Sequence, residues 1–243
     1  MPVVSPSWRK SLGGGMQALS LEFKLHQLGD APALLPASVG KPIGLPVLVT
    51  FVSEGIWRLA RHISVIAHEG AHALAGWSMG RKVVGVRLNS DATGETAIQG
   101  PAAGPGRIIT AFAGYLGPSV FGLGAAALLA HHQVEAVLVV AEIALFVMLL
   151  LVRNFFGVIS VFLNGALIIL VLKDGSSELQ TITAYALSWF LLLSGVRFVL
   201  MHGSKAGDAF TLRGITHVPR VVWATLWLLG AVLALWVGGR LLI

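Results

Sequence analysis

Two histidines and a glutamate stand together in the segment His68-Glu69-Gly70-Ala71-His72, inside an otherwise apolar stretch. On a helix, residues four apart lie on one face, so the imidazoles of His68 and His72 stack at a distance that lets two nitrogens bind one zinc ion. Glu69 lies beside them, close enough to polarise a water molecule on the metal. The spacing therefore predicts a hydrolytic zinc half-site with Glu69 as the base.

The alternative is that this motif arose by coincidence. With 8 histidines in 243 residues, a random chain of the same composition would contain the pattern about once in a hundred cases. Ionisable residues at membrane depth are costly and usually functional, and here the histidines and the glutamate fall within one helical turn. We therefore prefer the zinc site to a structural role.

A catalytic zinc ion takes three protein ligands and a water, so a third ligand must come from another part of the chain. The chain has no cysteine, which leaves His, Asp and Glu. The acidic candidates beyond the motif are Asp91, Glu95, Glu135, Glu142, Asp174, Glu178 and Asp208. The motif lies near the end of the first predicted span, so a ligand at the same depth belongs at the end of a later odd-numbered span or the start of an even one. Asp208, after the fifth span, meets this condition.

Two alternatives to Asp208 as the third ligand stay open. Glu142 lies in the middle of a predicted span and could reach the same depth. Asp208 itself, ahead of Ala209 and Phe210, is also a suitable helix N-cap, because Asp accepts hydrogen bonds from the first free backbone N–H groups.

The composition indicates a membrane protein. The chain is 56% hydrophobic and only 12% charged, with a mean hydropathy of +0.82, whereas soluble domains carry about 25% charged residues. The apolar stretches are long enough for helices, so we expect an all-α polytopic fold in a lipid bilayer. The net charge of +6 comes from Lys and Arg residues placed singly between apolar runs. This pattern fits lipid headgroups and argues against nucleic acid as a partner.

The apolar segments predict six transmembrane helices. The first runs from Ile43 to Met79, ends at Gly80, and is long enough that we expect a break between Ser53 and Trp57. The others are predicted at about 107–130, 134–152, 155–172, 179–201 and 219–239. Between the first two spans, the segments 82–88 and 95–98 flank a turn-rich stretch and predict a β-hairpin.

The chain is predicted to have one membrane domain, residues 43–243, after an interfacial N-terminal segment, residues 1–42. That segment has an amphipathic run through Met16, Leu19, Phe23 and Leu28. The distribution of Lys and Arg favours a cytoplasmic hairpin. Arg61 lies one heptad before His68 on the same helix face; it could support the metal ligands, but we prefer an anchoring role at the membrane interface.

The motif resembles that of the site-2-protease-like intramembrane metallopeptidases, especially a compact bacterial branch. The resemblance extends from about residue 44 to 228, through the segments 80–81, 113–118, 153–157 and 207–210. It implies zinc held by His68, His72 and an aspartate, a base at Glu69, and a multi-pass protein of the bacterial cytoplasmic membrane. Better-known members carry that aspartate in an Asp-Gly motif after an Asn-rich stretch; here Asn154 and the pair Asn164-Gly165 echo the stretch without the aspartate.

The expected function is that of a zinc metalloendopeptidase that hydrolyses peptide bonds of membrane-embedded or membrane-adjacent proteins or peptides. Two alternatives are a non-catalytic membrane scaffold and a metal transporter or sensor. Glu69 distinguishes them from a peptidase, because a metal-binding pair alone has no need of an adjacent carboxylate. An exposed strand edge at 82–88 or 95–98 could bind substrate by β-addition, or the hairpin could be a plain surface turn.

Overall fold

The computed structural model describes residues 43, 47, 53–205 and 207–243. In this part of the chain the fold is helical, with one antiparallel hairpin. Its elements are α1 (Glu54–Ser78), β1 (Lys82–Leu88), β2 (Gly94–Gln99), α2 (Pro105–Ala130), α3 (Val134–Leu151), α4 (Phe155–Asp174), α5 (Ser177–His202), a 3₁₀ turn (Gly203–Lys205), α6 (Gly207–Thr216) and α7 (Arg220–Leu242). The predicted all-α membrane fold with a hairpin after the first helix is confirmed.

Five of the described helices are long and apolar enough to cross a membrane: α2, α3, α4, α5 with its 3₁₀ extension, and α7. Their bounds agree closely with the predicted spans. The predicted count of six included the helix of the motif, but α1 is not among the five. Its apolar sequence is interrupted by charged groups and by the two imidazoles of the motif, which lower its hydropathy.

The predicted break before the motif helix is present. Ile43 and Val47 are helical, Ser53 has extended dihedral angles (φ −80°, ψ 111°), and α1 begins at Glu54. At its other end α1 stops before Gly80, whose φ of +66° is a left-handed conformation that glycine adopts easily. The predicted interfacial segment, residues 1–42, lies outside the described residues.

The helices α1 and α2 cross at unusually close range, because α2 has glycine where it faces the motif. A Cβ atom on Gly117 would come 2.5 Å from the Cβ of Ala71 and 2.8 Å from the carbonyl oxygen of Ala67. Small residues allow helix backbones to approach in this way inside a membrane. The motif face of α1 is therefore pressed directly against α2.

The hairpin packs beside α1, and a segment between α3 and α4 fixes its outer strand. The backbone N–H of Arg153 donates to the carbonyl of Val86 at 2.9 Å. The side chain of Asn154 accepts from the N–H of Leu88 at 3.1 Å and donates to its carbonyl at 2.7 Å. The free edge expected for β1 is therefore already occupied at Val86 and Leu88, which corrects the expectation that this strand could receive a substrate.

One helix was anticipated only through the possible N-cap at Asp208 and was not among the predicted spans. After α5 the chain makes a 3₁₀ turn and then forms α6, a short amphipathic helix that leads into α7. Ala209 and Leu212 are fully buried on its inner face. The segment is too short and too polar to stand out as a hydrophobic span, so hydropathy did not indicate this helix.

We expect Gly117→Ala to destabilise the protein, because the added methyl group meets the backbone of Ala67 and the side chain of Ala71. Overpacking of this kind costs about 1–3 kcal/mol. The matched control is Gly124→Ala, on the same helix, where a Cβ atom meets nothing within 4 Å. Thermal unfolding in detergent, followed by tryptophan fluorescence, should show a lower midpoint for Gly117→Ala only. Equal midpoints for the two variants would refute the close crossing.

Candidate metal centre

Three ligand atoms from two distant parts of the chain meet at one point. His68 Nε2 lies 3.1 Å from His72 Nε2 and 3.3 Å from Asp208 Oδ2, and His72 Nε2 lies 3.2 Å from the same oxygen. A tetrahedral zinc ion with bonds of about 2.0–2.1 Å would hold its ligands about 3.3–3.4 Å apart. In the part of the chain that the structure describes, this group alone could hold a metal ion.

The two histidines come from α1 and the aspartate from α6. His68 and His72 are one helical turn apart and both are buried, with 7% of each residue exposed. Asp208 is the second residue of α6, and α6 lies after the fifth predicted span, as the topology of the sequence predicted. The structure therefore brings Asp208 to the histidine pair.

The two alternatives for the third ligand differ in the structure. Glu142 is a residue of α3, and its carboxylate faces Gly165 of α4 instead of the histidines. Asp208 lies inside α6, and its carboxylate contacts the two imidazoles. Burial opposes ionisation of Asp208, but the neighbouring imidazoles outweigh burial and lower the pKa of this carboxyl below its ordinary value. A charged carboxylate is the form that binds a metal ion.

A hydrogen bond to α2 fixes the orientation of the His72 ring on the side away from the ligand cluster. Its Nδ1 donates to the backbone carbonyl of Thr110 at 2.7 Å. With the ring proton on Nδ1, the lone pair of Nε2 points toward His68 and Asp208, where a metal would bind. A hydrogen bond on the far side of a metal-ligating imidazole is the usual means of selecting this tautomer.

Aromatic side chains hold His68. The ring of Tyr115 meets it edge to face with 4.8 Å between centroids, and the ring of Phe198 lies at 5.4 Å. His68 Nδ1 is buried and has no hydrogen-bond partner among the described residues. On its Nδ1 side this imidazole is therefore held by packing, whereas Nδ1 of His72 is held by a hydrogen bond.

Gly114 keeps the space in front of the histidines open. A Cβ atom at this position would come 2.3 Å from His72 Nε2 and 2.8 Å from His68 Cε1. Both distances are far below van der Waals contact, so no other residue fits here without displacing the imidazoles. The segment around Gly114 stood out in the sequence, but only its position against the histidines shows why a glycine is needed.

The hairpin positions Glu69, which is 3% exposed. The hydroxyl of Thr96 on β2 donates to Glu69 Oε2 at 2.5 Å. Gly94 leaves room for the same carboxylate, since a Cβ atom there would come 2.5 Å from Glu69 Oε1. Sequence reasoning missed Thr96, and the only signal was that a hairpin directly follows the motif helix.

A cavity of about 560 Å³ opens onto these groups. The metal-ligand atoms, Glu69 and the side of β2 that carries Gly94, Thr96 and Ile98 share its wall. This volume lies within the range of cavities that bind small ligands or short chain segments, about 300–1,000 Å³. A ligand in the cavity would contact the histidine cluster and the glutamate together.

Comparison with known proteins identifies the family. No curated protein and no solved structure matches the chain. The family model described as Peptidase M50B-like matches residues 43–238, which includes every residue of the cluster. The chain therefore belongs to the M50B-like peptidase family, and so to the membrane metallopeptidases of the site-2-protease type.

Proposed function

We propose that the protein is a zinc metalloendopeptidase that hydrolyses peptide bonds of membrane-embedded or membrane-adjacent substrates. The observation that supports this most directly is the meeting of a His-His-Asp cluster and a buried glutamate at one cavity. The family supports the same reaction class. His68, His72 and Asp208 are the proposed zinc ligands, and Glu69 is the proposed base.

Zinc at this site would lower the pKa of a water molecule and polarise the scissile carbonyl. Glu69 accepts a proton from the attacking water and passes it to the leaving amine. Thr96 holds one oxygen of the Glu69 carboxylate through its hydroxyl, which keeps the group from rotating between the two transfers. The rings of Tyr115 and Phe198, which contact each other, form an apolar part of the cavity wall beside the site.

The rival functions fit these contacts less well. A scaffold or a metal sensor would gain nothing from a glutamate that is buried, hydrogen-bonded to the hairpin and directed into the same cavity as the ligands. A transporter needs polar groups along a continuous path. The helices α3 and α7 are apolar over most of their length.

The inner strand of the hairpin offers a place for an extended substrate. On β1, the backbone groups of Val86 and Leu88 point away from β2, because they bond to the segment 153–154. In an antiparallel pair, two opposed residues either bond to each other or both direct their backbone N–H and C=O groups away from each other. The partners of Val86 and Leu88 are Thr96 and Gly94, so the backbone groups of these two residues point to the outer edge of β2. That edge lines the cavity. We propose that substrate adds to β2, next to Glu69.

The metal assignment predicts about one zinc ion per purified chain. His68→Ala and His72→Ala should each abolish binding, because a two-ligand remnant binds far more weakly. Asp208→Asn should also lose zinc, since asparagine caps a helix about as well as aspartate but is a poor, neutral ligand. The control is Asp174→Asn, an exposed acidic residue at the end of α4. Metal analysis of the purified variants decides the matter. Full occupancy in the double alanine variant would refute the site, and full occupancy in Asp208→Asn would remove Asp208 from it.

The proposed base predicts that Glu69→Gln keeps the metal and the fold but stops cleavage, because the amide cannot accept a proton. Thr96→Val should slow cleavage about tenfold or more through loss of a hydrogen bond to a charged group. Thr225→Val, at an exposed position of α7, is its control. Mass spectrometry of membranes containing each variant identifies the cleaved proteins and their rates. Undiminished cleavage by Glu69→Gln would show that another residue is the base.

The proposed strand addition predicts that Ile98→Pro impairs cleavage. The backbone N–H and C=O groups of Ala97 face β1, and successive residues of a strand face opposite ways. The N–H of Ile98 therefore points to the outer edge of β2. Proline removes this donor while the bonds to β1 remain. Ile98→Val shortens the same side chain and keeps the N–H, so it should stay active. If both variants cleave equally well and contain equal zinc, substrate does not bind by β-addition at this edge.

A further inference from the structure

Arg61 faces the cavity but has no partner in it. It lies on α1 two turns before His68 and lines the same wall. Its Nε atom is buried and makes no hydrogen bond, and no ion pair joins Arg61 to an acidic residue in the described part of the chain. A buried N–H of a guanidinium without an acceptor is costly, because each donor that leaves water needs a partner. The cavity is therefore lined by a cationic side chain, one of whose donors no described residue satisfies.

Among the described residues, none of the acidic groups of the cavity wall forms an ion pair with Arg61. Asp91, at the tip of the hairpin, accepts from the backbone N–H of Thr93 at 3.0 Å and from its hydroxyl at 2.7 Å. These bonds lower the pKa of Asp91, with a smaller contribution from the charge of Arg61. Asp208 and Glu69 belong to the proposed metal centre and its base. The remaining acid of the wall, Glu95, is opposite Arg87 in the hairpin.

The other cations of the cavity wall add to the same field. Arg107 in the first turn of α2 and Lys205 in the 3₁₀ turn line the cavity without an ion pair among the described residues. An anionic group entering this part of the cavity would be attracted before it makes contact. Arg61 is nevertheless the cation with a shielded donor, so we expect it to form the specific contact.

The spacing along α1 sets where that anionic group would lie on a substrate. Seven residues of helix separate Arg61 from His68, which is about 10 Å at 1.5 Å per residue. An extended chain advances about 3.3 Å per residue. A side chain that meets Arg61 while the scissile bond lies at the histidines is therefore about three residues away from that bond.

We propose that Arg61 is a specificity-determining residue that binds a substrate carboxylate about three residues from the scissile bond. This inference rests on the proposed peptidase function. A guanidinium and a carboxylate form two parallel hydrogen bonds, so the contact has a defined geometry as well as a charge. It replaces the sequence-based preference for Arg61 as an interfacial anchor, since the residue lies on the wall of the cavity.

The test uses peptide hydroxamates, which bind zinc without turnover. The probes are extended tetrapeptides that carry a terminal hydroxamate and, three residues away, glutamate, glutamine or lysine. Binding to the zinc-loaded full chain is measured by calorimetry in lipid-free dodecyl maltoside. We expect the glutamate probe to bind wild type about tenfold more tightly than the glutamine probe, as expected for a charge-assisted pair. Arg61→Gln should remove this preference, and Arg61→Glu should transfer it to the lysine probe.

Three control variants separate a contact at Arg61 from a general effect of charge or of misfolding. Arg213→Gln, at an exposed position of α6, should keep the wild-type preference. Arg61→Lys keeps the charge but loses the two parallel N–H donors of the guanidinium, so it should retain only part of the preference. The transfer of preference to lysine in Arg61→Glu can be seen only in a folded protein, which excludes misfolding as the cause.

The outcomes distinguish the inference from the function on which it rests. If binding of all probes is independent of His68, the zinc site and the inference both fail. If binding needs His68 but shows no preference for glutamate, only the inference fails. A lipid phosphate as the true ligand would appear as no peptide preference in detergent, together with an Arg61-dependent affinity for phosphatidylglycerol in nanodiscs, and would also overturn the proposal.

Discussion

The organisation of this protein depends on the cost of placing imidazoles and carboxylates among apolar helices. Each such group needs a partner when it leaves water, or the fold loses several kcal/mol. The structure meets this cost by bringing α2 close to α1. Because glycine occupies the crossing, the carbonyl of Thr110 reaches His72 and the ring of Tyr115 covers His68. The same close approach that stabilises the helix pair thus fixes the direction of the ligand atoms.

The hairpin is a second support of the site, and it is fixed from both sides. On its inner side Thr96 binds the carboxylate of Glu69. On its outer side Asn154 completes the hydrogen bonds of Leu88 as another strand would. A two-stranded hairpin alone is marginally stable in water, so the contacts with α1 and with the segment after α3 are needed to hold it. Among the described residues, no strand pairs with the outer edge of β2, whereas β1 is bonded to the segment 153–154.

Much of this arrangement was predictable from the sequence, because hydropathy and short motifs report local structure. The apolar runs indicated the bounds of α2 to α5 and α7, and the motif placed His68, Glu69 and His72 on one helix. Asp208 was predicted as a candidate ligand from the topology, because the ends of alternate transmembrane spans lie on the same side of the membrane. Thr96, Gly114 and the role of Asn154 could not be predicted, because each acts through a contact with residues distant in the chain. Hydropathy did not indicate helix α6, because its apolar face has only a few residues; only the possible N-cap at Asp208 pointed to it.

The position of Asp208 on a short helix raises the question of what holds the third ligand in place. The inner face of α6 buries Ala209 and Leu212 against Tyr115 and Trp227, whose rings stack with 4.5 Å between centroids. Trp227 is in turn fixed to α2 by its indole N–H, which donates to the carbonyl of Phe112 at 2.9 Å. Tyr115 therefore contacts His68 and also stacks on Trp227, within the apolar cluster that contains Ala209 and Leu212 of α6. Apolar packing through one aromatic residue links the ligand on α6 to the ligands on α1, so the precision of the cluster depends on side chains that never touch a metal.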